Sequence, residues 1–458
     1  MKPIYFALVL VLSSFSAITT AQTHNWTGNG GDTDWFNTSN WDAGTVPIGT
    51  STVSIVGNVS VLVSGSAAEA YTIDLHNNST LELDGNLNTD SIITVHPSAT
   101  FKYTGGTLSG SGILNNGLLL FEGNGMRTLS NTIITNNNQF LVIDTGLTQI
   151  LSSTINNNST GTLEIASVGG FIQLGTTSVL NNSGLLLKSP DGITSVGNFY
   201  LVLSIINDGV FEVLEDQIVL LLANSGTLTN STTGRIIGNG TYDITAQFIN
   251  MGIIAPGDSP DVGSIDVTNN FSLNGGTIEL DILGSDAGSY DTVRVTGFPD
   301  MDGFLDINLQ YAPSLGDSFE VITWSPNGNS CLFPATTTAS FDGQEYTFDI
   351  NCNGNDVTLV VSDITVLGTT DEASQKFDFF ITPNPVVSEA IFNFSSELGT
   401  IENPSVVIYN YLGQEIMRRD GFTSENNIFS RGNLPSGLYF AQLETNNTIV
   451  ATTRIVLK

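Results

Sequence analysis

A recurring phrase constrains this chain more than any other feature. From about residue 110 the sequence reads ILNNGLLLF, TIITNNNQFLVI, STINNNSTGTLEI, SVLNNSGLLLK, SIINDGVFEV, LLANSGTLT and QFINMGIIAPG. In each copy, apolar or β-branched residues lead into an Asn-containing turn, and a second apolar strand leaves it. Aligned on Gly117, Gln139, Gly161, Gly184, Gly209, Gly226 and Gly252, the copies are spaced 22, 22, 23, 25, 17 and 26 residues apart. A period of about 22 residues is short for a helical repeat and suits one coil of a β-solenoid. Val, Ile, Leu and Thr dominate the strands, helix-length amphipathic patterns are absent, and Asn and Gly stand where the backbone must turn through positive φ. One such coil cannot cover its own apolar face, so coils must stack, with strands about 4.8 Å apart. Stacking would align the turn asparagines into hydrogen-bonded ladders and place Ile155, Val179, Ile205 and Ile249 inward. The expected fold is all-β: a parallel β-solenoid followed by a small C-terminal β-sandwich.

The chain has 458 residues, too many for one core, and only 12% are charged, with 44 acids against 12 bases for a net charge of -32. So few cations cannot neutralise a run of phosphates or an anionic bilayer, which makes nucleic acid a poor partner and disfavours binding to anionic membrane surfaces. The opening MKPIYFALVLVLSSFSAITTAQ has one basic residue, an apolar run and small residues up to Ala21, the pattern of a cleavable secretory signal over residues 1–21. No other apolar stretch is long enough for a transmembrane helix. In an exported chain Cys331 and Cys352 read as one disulfide, with two free thiols the alternative. His24, His76 and His96 all lie far from both cysteines in sequence, so neither a zinc site nor a Cys-His nucleophile pair is expected.

Around the repeats at residues 101–255 the composition marks further segments. Residues 22–100 hold NWTGNGGDTDWFNTSNWDAGTVP, in which Trp26, Trp35 and Trp41 read as an aromatic cap on the first coil, with a sugar-stacking platform as the alternative. Residues 256–362 read as the solenoid's C-terminal portion and cap, stapled by the cysteines, and 363–378 as a linker. The repeat phrase resembles the N-x-G-repeat β-helices of bacterial adhesins and autotransporter passenger domains. The tryptophan segment resembles the W-x-G…NW…P opening that precedes many secreted bacterial β-repeats. Pro256, Gly257, Ser259, Pro260, Glu279, Tyr290, Asp291, Val293 and Gly297 resemble the segment that ends autotransporter-like β-helices, with Asp261 where a glycine is usual.

Catalytic chemistry is not legible. Asp300, Asp302 and Asp306 spell D-x-D-G-x-x-D, but Phe304 and Tyr311 occupy positions where a calcium loop needs ligands, and two strands joined at Gly303 account for the same letters. Glu212, Glu215 and Asp216 could supply paired carboxylates for glycoside hydrolysis, yet they read as solvated side chains. A lyase would also need clustered cations, and near the repeats only Lys102, Arg127, Lys188 and Arg235 are basic, each in a separate phrase. No nucleophile elbow, zincin, P-loop or dinucleotide motif occurs. No catalytic residue, metal or cofactor is therefore expected.

Residues 379–458 form a separate module with the landmarks Pro383-Asn384-Pro385, SVVIYNYLGQEIMRR, NLPSGLYFAQLETNN and a final Lys458. The prolines hold the entry strand extended, and Gly413 and Gly437 serve turns. Pro383, Asn384, Pro385, Gly413, Leu434, Gly437, Tyr439 and Lys458 fall on the pattern of the type A C-terminal sorting domain of type IX secretion, which the module closely resembles, with Thr382, Asn410 and Ile416 as departures. The resemblance implies recognition by the type IX secretion machinery at the outer membrane, and attachment to surface lipopolysaccharide or release. The expected protein is thus a secreted or cell-surface β-helix with an adhesive or structural role; the alternative is one that binds or degrades polysaccharide.

Overall fold

The computed structural model describes residues 22–458 apart from 144, 176–177, 191–196, 222–225, 258–259, 270, 298, 326–329, 367–376, 397–403, 422–426 and 446–447. The expected leader over 1–21 and most of the expected linker lie outside the described residues. Apart from one 3-10 turn at Thr38–Asn40, every described element is a strand. The chain divides into two units, one up to Thr365 and one from Val366.

Alternation builds the first unit. In Gln139–Val142, Thr162–Ile165, Leu185–Lys188 and Val210–Val213 every second residue is buried. A strand so patterned presents one apolar face, and stacking covers it. These strands pair in parallel, each with its counterpart one coil on, and Leu118–Phe121, Arg235–Gly238 and Ile253–Pro256 continue the same face. Two further parallel faces close the coil. One runs through Arg127–Ser130, Leu147–Leu151, Gly170–Gln173, Gly197–Val202, Gln217–Leu221 and Thr241–Ile244. The other runs through Ile133–Asn136, Thr154–Asn157, Val179–Asn182, Ser204–Asn207, Thr227–Asn230 and Gln247–Asn250. The result is a three-faced parallel β-solenoid filled by stacked rows such as Leu119, Phe140, Leu163, Leu186, Phe211 and Ile236. Parallel pairing begins with Thr23 beside Thr52 and persists to Met301 beside Cys331, while Ser318–Ser325 also meets Asp356–Val366 antiparallel.

The expected asparagine ladder runs the length of the repeats. Asn115, Asn136, Asn157, Asn182, Asn207, Asn230 and Asn250 are buried, and each amide nitrogen donates to the side-chain oxygen of the next at 2.7, 2.8, 2.7, 2.7, 2.8 and 2.7 Å. The same nitrogens donate to backbone carbonyls one coil on, for example Asn157 to Leu185 at 2.9 Å and Asn182 to Val210 at 2.8 Å. Those carbonyls fix which way every amide points, so the dipoles align along the stack and reinforce one another. The glycine that follows every ladder residue except Asn136 leaves room for this: a Cβ on Gly184 would stand 2.2 Å from the Gly161 carbonyl oxygen.

The register corrects two readings of the sequence. Leu118 pairs with Gln139 and Gln139 with Thr162, so the residue beside Gly117 and Gly161 is Asn138, not Gln139. Arg235 pairs with Val210 and Ile253, which puts Gly234 rather than Gly226 between Gly209 and Gly252. The letters NSG at 224–226 imitate the phrase, but ladder residue Asn230 reaches its glycine after four residues, as Asn157 reaches Gly161. Among the residues expected inside, Ile155 and Ile205 are fully buried, whereas Val179 and Ile249 face outward and Leu180 and Phe248 take the inward row. With a side-chain period of two, a one-residue slip exchanges the faces.

The three cap tryptophans are buried against one another, with Trp41 edge-on to Trp26 and Trp35 at ring separations of 5.0 and 4.9 Å. The Trp41 indole donates to the Trp35 carbonyl at 2.8 Å. Rings packed this way cover the first coil and offer no face to a sugar.

The second unit is antiparallel. Phe377–Thr382, Glu389–Ser396 and Ile428–Ser430 form one sheet; Glu415–Asp420, Pro404–Asn410, Gly437–Thr445 and Thr448–Leu457 form another. Both contribute to one apolar cluster that includes Phe379, Phe392, Val406, Tyr439, Leu443 and Ile455, a small β-sandwich.

Candidate functional site

The terminal module brings its first and last landmark residues together. Between Pro383 and Pro385, where ring nitrogens cannot donate, the Asn384 side chain substitutes for a strand: its amide donates to the Arg454 carbonyl at 2.8 Å and its oxygen accepts from the Val456 amide at 2.9 Å. Val386 then donates to the Val456 carbonyl at 2.7 Å, and the Lys458 amide donates to the Val386 carbonyl at 3.0 Å. The opening motif and the last strand are thus one hydrogen-bonded assembly, although about 70 residues separate them in sequence. Gly413 sits at φ +76° in the turn between Pro404–Asn410 and Glu415–Asp420. There the Asn410 side-chain oxygen accepts from the Leu412 and Gln414 amides, both at 3.0 Å, the acceptor role an aspartate would fill. Tyr439 is buried with its hydroxyl donating to the Pro435 carbonyl at 3.1 Å, and Leu434 packs against the same cluster.

Arg431 was not legible as part of this constellation. Its guanidinium donates to the Leu434 carbonyl at 3.0 Å, the Ser436 hydroxyl at 3.0 Å and the Lys458 carbonyl, and its own amide donates to the Ser388 carbonyl at 2.8 Å. One planar cation with several donors can join segments that share no sequence proximity. The only hint in sequence is a lone arginine three residues before Leu434.

On the solenoid the sequence candidates do not converge. Glu212 lies on an outward position beside Leu187 and Ile237, while Glu215 and Asp216 are exposed in the turn that follows. The four cations near the repeats are committed. Arg127 and Lys188 occupy inward positions: Arg127 donates to the Thr148 hydroxyl at 3.1 Å and lies over the Phe121 ring, and Lys188 donates to the Ser189 carbonyl at 2.6 Å and the Gln217 amide oxygen at 2.8 Å. Lys102 bridges Glu82 and Glu122 at 3.5 and 2.5 Å, and Arg235 grips Glu279 through both carboxylate oxygens at 3.1 and 2.6 Å. Asp300 lies on the short strand Pro299–Met301 and Asp306 on Phe304–Leu309, and Asp306 stands beside Glu279.

Among the described carboxylates, Asp291 is displaced from its ordinary range. Burial pushes its carboxyl up to about 7, although the Asp281 and Gly263 amides donate to it at 2.8 and 2.6 Å; the neighbouring Asp281 charge adds to the rise. It ties three successive segments of the solenoid together rather than facing an open site. Cys331 and Cys352 are joined in a disulfide.

No curated protein matches the chain at a significant level. The family of secretion system C-terminal sorting domains matches residues 381–458, so the chain carries the sorting tail of type IX secretion and is exported to the cell surface or the extracellular space.

Proposed function

We propose that the solenoid is an adhesive or structural element displayed outside the cell, delivered by its sorting tail and either held on surface lipopolysaccharide or released. The observation that carries this reading is the commitment of the four cations. A polysaccharide lyase needs a base and a positive cluster to hold an anionic sugar, and here two cations are inside the core and two are held by carboxylates. A retaining or inverting hydrolase needs two carboxylates across a cleft. Here Glu212 lies on an outward strand position, and Glu215 and Asp216 lie exposed in the turn that follows. Repetition of outward positions on a rigid stack suits contact with an extended partner surface. The resemblance of the tail to the type A form supports the outer-membrane recognition and attachment steps.

The decisive experiment is a glycan-array screen of the purified chain run beside a reducing-sugar release assay. Binding without release, or neither, accords with the proposal; release of reducing ends that disappears in Glu212→Gln would overturn it.

A further inference from the structure

We infer that Asp74, His76 and His96 form a binding site for a divalent transition-metal ion of the zinc class on the outside of the first coils. His76 closes the strand Thr72–His76, and Asp74 precedes it by two residues, so both point to the same outward face. One coil on, Ile73, Asp74 and Leu75 pair in parallel with Ile93, Thr94 and Val95, and the His96 amide donates to the Leu75 carbonyl at 3.0 Å. His96 therefore stands directly over His76. The two imidazoles are stacked with centroids 3.8 Å apart, and His96 Nε2 lies 3.6 Å from Asp74 Oδ1. One ligand atom from each of the three lies within 4.8 Å of the others.

Two ligands at i and i+2 on one strand and a third on the neighbouring strand make a triangle on a sheet face. Zinc binds imidazole nitrogen and carboxylate oxygen at about 2.0–2.2 Å, which puts ligand atoms on a tetrahedral ion roughly 3.4 Å apart. The present separations need only ring tilts that bring the two nitrogens to a common point. The backbone is already fixed, because the His76 and His96 carbonyls accept from the Ser79 and Ala99 amides at 3.1 and 3.0 Å in equivalent turns. Asp74 and His96 are each about a third exposed, at 37%, so an ion can enter from water. The immediate neighbours Ser54, Val56 and Thr94 bring no positive charge, and the net charge of -32 draws cations to the surface. Three protein ligands leave one position open to water. A bound ion would clamp two adjacent coils just beyond the tryptophan cap.

The test is Zn²⁺ binding to the full chain, stripped with a chelator, by competition against a chromophoric chelator, with Co²⁺ absorption as a reporter of imidazole ligation. The expected result is one tight equivalent of Zn²⁺ that resists excess Ca²⁺, raises the melting temperature, and is lost in His76→Ala and in His96→Ala. In Asp74→Asn, which keeps the shape of the side chain, binding weakens and the Co²⁺ bands shift. These side chains face outward, so the metal-free variants should melt as the parent does; were a histidine variant to unfold, Asp74→Asn decides. No tight equivalent, an equivalent that survives both histidine variants, or one displaced by Ca²⁺ would overturn the inference, since the last two are the behaviour of scattered carboxylates.

Discussion

Replacing Asn182 by alanine should remove one rung from the middle of the ladder. The side-chain oxygen of Asn182 accepts from Asn157 at 2.7 Å, and its nitrogen donates to Asn207 at 2.7 Å and to the Val210 carbonyl at 2.8 Å. Each bond contributes about 1 kcal/mol net, and a buried polar atom left without its partner costs about 1–3 kcal/mol. Asn157 keeps the Leu185 carbonyl, so the uncompensated groups are chiefly the Asn207 oxygen and the Val210 carbonyl. The sum is about 4 kcal/mol. Asn181 is an internal control: it points outward and makes one side-chain bond, to Asn156 at 2.8 Å, so Asn181→Ala should cost less than about 1 kcal/mol. Urea unfolding followed by circular dichroism measures the difference, and hydrogen exchange in the flanking coils shows whether the loss spreads, as shared interfaces require. Equal, small costs for the two variants would refute the idea that the ladder holds the coils in register.

Deleting Phe379 to Lys458 should leave the chain in the periplasm, read by cell fractionation; normal surface levels of the truncated chain would count against the sorting assignment. Ile155→Asp should cost several kcal/mol by placing a charge in the dry interior, whereas Val179→Asp, on an outward position, should be tolerated; thermal melts compare the two. Asp291 holds its proton in the folded chain up to about 7 but releases it near 3.8 when unfolded, so its contribution is complete below pH 3.8 and is lost as pH rises to about 7. Across that window the parent should lose stability more steeply than Asp291→Asn, and parallel pH profiles for the two would exclude the role.

The repeat phrase by itself determined the fold class. A period near 22 residues, β-branched strands and Asn-Gly turns leave a stacked parallel coil as the arrangement that buries every apolar face, and the same logic foretold the ladder. The tail was equally legible, because Pro383-Asn384-Pro385, Gly413, Gly437 and Tyr439 do local backbone work that their letters announce. What only the tertiary structure decided depends on register. Whether Val179 or Leu180 faces inward turns on a single-residue phase that equally apolar neighbours do not reveal. Arg127 and Lys188, basic letters in an apolar pattern, go inside because the next coil supplies the Thr148 hydroxyl and the Gln217 amide to receive them. Arg431 reaches Lys458 only once the last strand returns beside the first motif. His76 and His96, twenty residues apart in sequence, become neighbours because one coil happens to take that many residues to come round. Spacing along the chain measures distance poorly in a solenoid: residues one full coil apart lie about 4.8 Å from each other, closer than residues two apart on the same strand.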